Sequence, residues 1–118
     1  NLIEWAERMF GFGPGDRVLF VTSLCFDLSV FDIFGLLSTG GSIRIVAEDE
    51  IRQPQRLLEL LCEEPITFWD SAPAALQQLA PLMEVNPASG AASKLRLVFL
   101  SGDWIPLTLP PLLKSTFP

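Results

Sequence analysis

Three aspartates stand where a short apolar run gives way to a turn: Asp27 in "SLCFDLS", Asp70 in "ITFWDSAP" and Asp103 in "LRLVFLSGDWIP". A carboxylate among apolar neighbours is costly unless it meets a positive charge. Phe26, Leu28, Val30 and Phe31 flank Asp27 in the chain, so a cationic ligand group would supply the missing partner. The competing reading is that Asp27 only complements the positive end of the helix that follows, worth up to about 1 kcal/mol at a surface. Asp70 has the same two readings, because Asp and Ser also make good caps for a helix opening after Pro73. Gly102, just before Asp103, permits a positive φ or the close approach of a planar ligand; an ordinary turn glycine is the alternative.

Other chemistries are excluded by what the chain lacks. There is no histidine among the 118 residues, so neither a Ser-His nor a Cys-His nucleophile, and no His-based metal site, can be built from them. Cys25 and Cys62 fit no metal or redox spacing and read as two buried, reduced thiols of a cytosolic protein. The clusters "GFGPG" and "STGGS" are not phosphate loops, since the first precedes a strand and the second lacks the lysine such a loop needs. Lys94 and Lys114 read as solvated surface charges. The formal net charge is −6 and the eight basic residues are scattered, which argues against nucleic acid as a partner. No apolar run approaches the ~18 residues of a membrane span, and no secretory signal opens the chain, so a cytoplasmic location without membrane attachment is expected.

The elements that must position the acids can be read from periodicity. Residues 1–10 place Leu2, Ile3, Ala6, Met9 and Phe10 at helical spacing, with Trp5, Phe10 and Phe20 expected in the core. "RVLFVTS" predicts a buried strand, and Ser29 with Asp32 three positions on resembles a capping box opening a helix that ends at Gly40-Gly41. "SIRIVA", "ITFW" and "LRLVFLS" predict three more strands. "PQRLLELLCEE" and "AALQQLAPLM" predict helices, the latter interrupted near Pro81, and the prolines of "GDWIPLTLPPLLK" weaken a last one. Strand and helix alternate four times after the first helix. That order predicts an α/β fold, a mostly parallel sheet with flanking helices. Ligands of such sheets sit beyond the carboxyl ends of the strands. The three loops Ser23–Ser29, Asp70–Pro73 and Ser101–Pro106 then converge, each with one acid.

At these residues a resemblance emerges. "FDLSVFDIFG" resembles the Phe-Asp-x-Ser motif of amino-acid adenylation domains from nonribosomal peptide synthetases, which are adenylate-forming enzymes. "GPGDRVLFVTSLCFD", "LLSTGGSIRIV", "ITFWDSAPAALQQL" and "LRLVFLSGDWIP" are similar to further family stretches, in the family's order. The resemblance implies that residues 1–118 are an internal part of the large N-terminal subdomain, truncated at both ends and inactive alone. It implies an ATP-dependent ligase that joins an amino acid to AMP, releases pyrophosphate, and passes the acyl group to a phosphopantetheine thiol. The partners implied are a peptidyl carrier protein domain and neighbouring synthetase domains.

Position by position, the resemblance gives Asp27 the substrate's α-ammonium and makes Leu28, Phe31, Asp70, Phe99 and Ser101 walls of the side-chain pocket. Gly102, Asp103 and Trp104 match the stretch bordering adenine. No residue of the chain matches a catalytic or metal-binding position. ATP and Mg2+ would be held mostly by segments the chain does not contain. "SGDWIPLTLP" looks like the version in modules handling cysteine and other small residues in heterocycle-forming assembly lines. Two departures open the substrate to serine, glycine, alanine or a substrate with a second cation. Asp70 stands where cysteine pockets usually have asparagine, and Phe99 is bulkier than the usual aliphatic residue. The alternatives are an acyl-CoA synthetase or aryl-acid ligase of the same superfamily, which Asp27 argues against, and a receiver-like α/β module phosphorylated on Asp70.

Overall fold

The computed structural model describes residues 1–117. The first helix, α1 (Leu2–Phe10), leads through a turn into β1 (Arg17–Phe20). A continuous helical stretch follows, made of α2 (Leu28–Val30), a π turn (Phe31–Gly35) and α3 (Leu36–Ser38). It stops at Gly40, whose φ of 82° ends the helix at little cost because glycine has no Cβ to clash. Next come β2 (Ser42–Ile45), α4 (Glu48–Ile51), α5 (Pro54–Glu63) and β3 (Phe68–Ser71). The chain closes with α6 (Pro73–Gln77), α7 (Ala80–Val85), a 3-10 turn (Pro87–Gly90), β4 (Leu97–Leu100) and α8 (Leu109–Thr116).

The four strands form one parallel sheet in the order β2-β1-β3-β4. Alternation along each strand sends neighbouring side chains to opposite faces. One face carries Leu19 and Trp69 against Leu57, Leu61, Leu76, Leu79 and Met83 of the helices that follow. The other carries Val18 and Phe68 against Ala6, Phe12, Phe31 and Leu36. Each such fully buried side chain contributes roughly 1.5–3 kcal/mol. Two steps from Phe68, Asp70 must share the phenylalanine face, while Ser71 goes to the tryptophan face and accepts the Trp69 indole N–H at 2.7 Å.

The strands are shorter than the sequence pattern suggests, and one boundary moves with consequence. β3 runs to Ser71, so Asp70 is a buried strand residue paired with Phe99 of β4, not a loop cap. The expected capping box is absent as well. The Ser29 hydroxyl donates to the Phe26 carbonyl at 2.7 Å, and Asp32 is fully buried. The acidic turn before α5 is a helix, α4, in which Glu50 accepts the Ala47 N–H at 3.1 Å. The break at Pro81 is real: α6 and α7 are separate, with the proline in the first turn of α7 where its missing N–H costs nothing. Trp5 is half exposed and not core; it packs edge-on against Phe10. Cys25 is exposed and Cys62 half-buried; both are free thiols.

Candidate functional site

β2 lies on one side of β1 and β3 on the other, so the connections leaving β1 and β3 diverge and open a crevice at their carboxyl ends. In open α/β sheets that is where ligands bind. A cavity of about 770 Å³ runs along the edge strand β4, from Leu95 and Arg96 at its amino end to Ser101 at its carboxyl end, and Asp27, Leu28, Phe31, Asp70, Phe99 and Ser101 all line it. Six residues spread over 75 positions of sequence are thereby brought to one cavity, three by α2, the π turn and the residue before them, one by β3 and two by β4 and its carboxyl end. Gly102, Asp103 and Trp104 are not among the walls; they continue from Ser101 as an exposed loop. Gly102 has a φ of 88° with open space around it, and the Asp103 carboxylate accepts the Trp104 N–H at 2.7 Å. Trp104 is 92% exposed.

Asp27 occupies the position before α2, yet its carboxylate makes no capping hydrogen bond. Nor does it enter any ion pair among the described residues. It is exposed at the cavity rim, and its apolar surroundings are only half what its neighbours in sequence suggest. Phe26 and Val30 turn outward, whereas Phe31 turns in. Behind Asp27, Phe31 and Phe99 form part of an aromatic wall with Phe68. The ring centroids are 5.0 Å apart for Phe68 and Phe99, 5.6 Å for Phe31 and Phe99, and 6.1 Å for Phe31 and Phe68. Such edge and tilted packing holds flat apolar surfaces in fixed orientation.

The residue that sequence reasoning misassigned is Asp32. It lies four positions after Leu28 and four before Leu36, on the inward stripe of the helix, and the π turn keeps Phe31, Asp32, Gly35 and Leu36 all facing the sheet. That stripe was its visible signal. Asp32 and Asp70 are 0% and 1% exposed, and none of their four carboxylate oxygens has a hydrogen-bond donor. Burial pushes Asp32 up to about 8, with the neighbouring Asp70 carboxylate adding to the effect; burial likewise pushes Asp70 up to about 6. Asp70 is thus a near neighbour of Asp32, and the closeness of the two carboxyls makes ionising both unfavourable.

Other walls are Leu2 and Trp5 of α1, Ile105, and the α8 residues Pro110, Leu113 and Lys114. No three metal-ligating side chains cluster among the described residues, so a divalent ion finds no set of ligands here. Neither lysine pairs with Asp70, which leaves the receiver-like alternative without its cation. Among the described residues, no helix is long and apolar enough to cross a membrane.

A parallel sheet whose strand order reverses between β1 and β3 is the nucleotide- and ligand-binding arrangement of α/β enzymes. The chain belongs to the AMP-binding enzyme family, whose description matches residues 1–118. It is 46% identical over 117 residues to bacitracin synthase 1 of Bacillus licheniformis, covering 99% of this chain and 2% of that protein. Against the anguibactin system regulator of Vibrio anguillarum it is 48% identical over 104 residues, covering 88% of this chain and 10% of that one. The chain thus spans a tenth or less of these curated relatives. Among solved structures, the nonribosomal peptide synthetase FmoA3 in its AMPPNP-bound form matches all of this chain and 13% of its own, at a TM-score of 0.89 and 36% identity. The same synthetase bound to alpha-methyl-L-serine-AMP matches with a TM-score of 0.85 and 37% identity, over 98% of this chain and 13% of its own.

Proposed function

We propose that these residues form the amino-acid pocket of an adenylation domain in nonribosomal peptide synthesis, as an internal segment of its large subdomain. The activity is condensation of an amino acid with ATP to aminoacyl-AMP and pyrophosphate, followed by transfer to a carrier-protein phosphopantetheine thiol. The observation that carries this reading is the meeting of Asp27, Leu28, Phe31, Asp70, Phe99 and Ser101 on one cavity. FmoA3, with which the chain shares its fold, has been captured with an amino-acid adenylate.

In this reading the Asp27 carboxylate, free of protein partners, takes the α-ammonium in a charge-assisted hydrogen bond. Leu28, Phe31 and Phe99 exclude water from the substrate side chain, and Asp70 and Ser101 supply polar contacts. The open backbone at Gly102, Asp103 and Trp104 fits the edge of a flat adenine. The phosphates have no cradle among the described residues, and neither does Mg2+, so nothing here is assigned to their chemistry. The carrier domain and neighbouring synthetase domains are the partners of this activity.

Pyrophosphate exchange by the intact protein, run across an amino-acid panel, tests the proposal. Amino-acid-dependent exchange is expected, and Asp27→Ala should lower it by roughly a hundredfold, the worth of a charge-assisted contact at 1.5–3 kcal/mol with added loss of orientation. Amino-acid-dependent exchange undiminished in Asp27→Ala would mean that Asp27 does not hold the α-ammonium and that the pocket assignment is wrong.

A further inference from the structure

The two edges of the sheet are finished in different ways. β2, at one edge, carries Arg44, which is ion-paired to Glu50 at 3.0 Å and to Glu64 at 3.1 Å. Charged side chains of this kind discourage further pairing at an edge strand. β4, at the other edge, reads Leu97-Val98-Phe99-Leu100 and carries no charge. Among the described residues it pairs with β3 alone, and all four of its residues are half-buried, whereas all four of β3 are buried. The Leu97 and Ser101 N–H groups donate to the Thr67 and Ser71 carbonyls, both at 3.2 Å. Alternation then turns the N–H and C=O of Val98 and Leu100 toward the free edge.

The cavity runs beside this edge, and helices of both layers overhang it. α1, packed on the phenylalanine face through Ala6, contributes Leu2 and Trp5, which are 66% and 50% exposed. α8, packed on the tryptophan face through Leu112 and Leu113, contributes Pro110 and Leu113. A slot floored by unpaired backbone and walled by apolar side chains on both faces matches a buried strand of a parallel sheet.

We infer that this slot is filled, in the intact protein, by a fifth strand of the same polypeptide, following α8 and parallel to β4. The inference rests on the reading above of these residues as an internal segment. The match covers 13% of the FmoA3 chain, so a protein of that length has ample polypeptide to supply the strand. Its place follows from handedness. The crossovers from β2 to β3 and from β3 to β4 run over the tryptophan face, through α5 and then through α6 and α7. Both carry the chain toward the β4 edge, while the crossover from β1 to β2 runs the other way over the phenylalanine face. α8 leaves β4 on the tryptophan face, so a right-handed crossover delivers the next strand to the far side of β4. About five or six residues, the commonest strand length, suffice. Cover on both faces calls for a near-continuous apolar run. The strand takes the length of the cavity beside β4 and leaves its carboxyl end, where Asp27, Phe31 and Ser101 stand, to the substrate.

Amide hydrogen exchange of the intact protein, resolved to single residues by NMR and run at two protein concentrations, tests the strand. Val98 and Leu100 are expected to exchange as slowly as Leu97 and Phe99, on the order of a hundredfold or more below a free amide, at both concentrations. Rapid exchange at Val98 and Leu100 beside slow exchange at Leu97 and Phe99 would mean a bare edge and overturn the inference. Protection that fades on dilution overturns it too, because the occupant would then be a second molecule. So does protection of only one of the two amides, which a covering loop gives and a paired strand does not. The stretch following α8 in the intact sequence should be a short apolar run, and a polar stretch there would overturn its assignment to the slot. Hydrogen exchange needs no substrate, so pyrophosphate exchange by the same sample judges the adenylation reading separately.

Discussion

Two buried acid sites lie at opposite ends of one sheet and are treated in opposite ways. At the amino end, Asp16 is 7% exposed and fully partnered. It accepts from the Arg96 guanidinium at 2.9 and 3.0 Å, from the Thr67 hydroxyl at 2.7 Å and from the Gly13 N–H at 3.0 Å. These contacts tie together the residues just before β1, β3 and β4. The Arg96 hydrogen bonds hold the Asp16 carboxyl below the usual carboxylate range against the cost of burial. At the carboxyl end, Asp32 and Asp70 are buried near each other and neither enters an ion pair among the described residues. The first arrangement stabilises the fold; the second leaves two buried carboxyls whose ionised forms are costly.

Removing the amino-end acid should have the largest effect on stability. Asp16→Ala leaves Arg96 and the Thr67 hydroxyl without their acceptor and should destabilise the intact protein by about 3 kcal/mol, the low end for breaking a buried pair because Arg96 is partly exposed. Urea denaturation measures it, and a loss below about 0.5 kcal/mol, the range of an ordinary surface change, would erase the contrast between the two ends.

The pH dependence of the two ends should have opposite sign. Asp32 and Asp70 have folded-state values raised above 3.8, so the native state binds protons more tightly and their effect destabilises progressively as pH rises from about 4 toward about 8. Asp16 is lowered, so its stabilisation is present above 3.8 and is lost as pH falls below that value. Melting curves should therefore show a decline between pH 5 and 8 that Asp32→Asn flattens. A decline of the same slope in the variant would separate Asp32 from the effect.

The smallest expected change is at the exposed loop beyond the carboxyl end. Gly102→Ala meets no atom within 4 Å, so only its left-handed backbone is penalised, at about 1 kcal/mol. A melting temperature unchanged in that variant would show the loop relaxing to another conformation.

What could be read in the sequence differs between these ends too. The strand and helix alternation and the parallel sheet follow from local patterns of period two and 3.6, and they are borne out. Asp32 was hidden because Ser29 and Asp32 have the spacing of a capping box, a local signal, while the π turn that turns Asp32 inward depends on packing against Phe68 and Leu36. Trp5 reads as core from its size, but the partner that would decide its burial is not encoded in α1 itself. The pairing of Arg96 with Asp16 joins residues 80 positions apart, a contact only the sheet register creates.

A crystal structure of the intact protein with a non-hydrolysable aminoacyl-adenylate analogue would test the division of labour most directly. The α-ammonium nitrogen should lie within about 3.2 Å of the Asp27 carboxylate, hydrogen-bond range, with the ligand side chain between Phe31 and Phe99 and directed at Asp70. An ammonium bound elsewhere, with Asp27 left facing solvent, would contradict it.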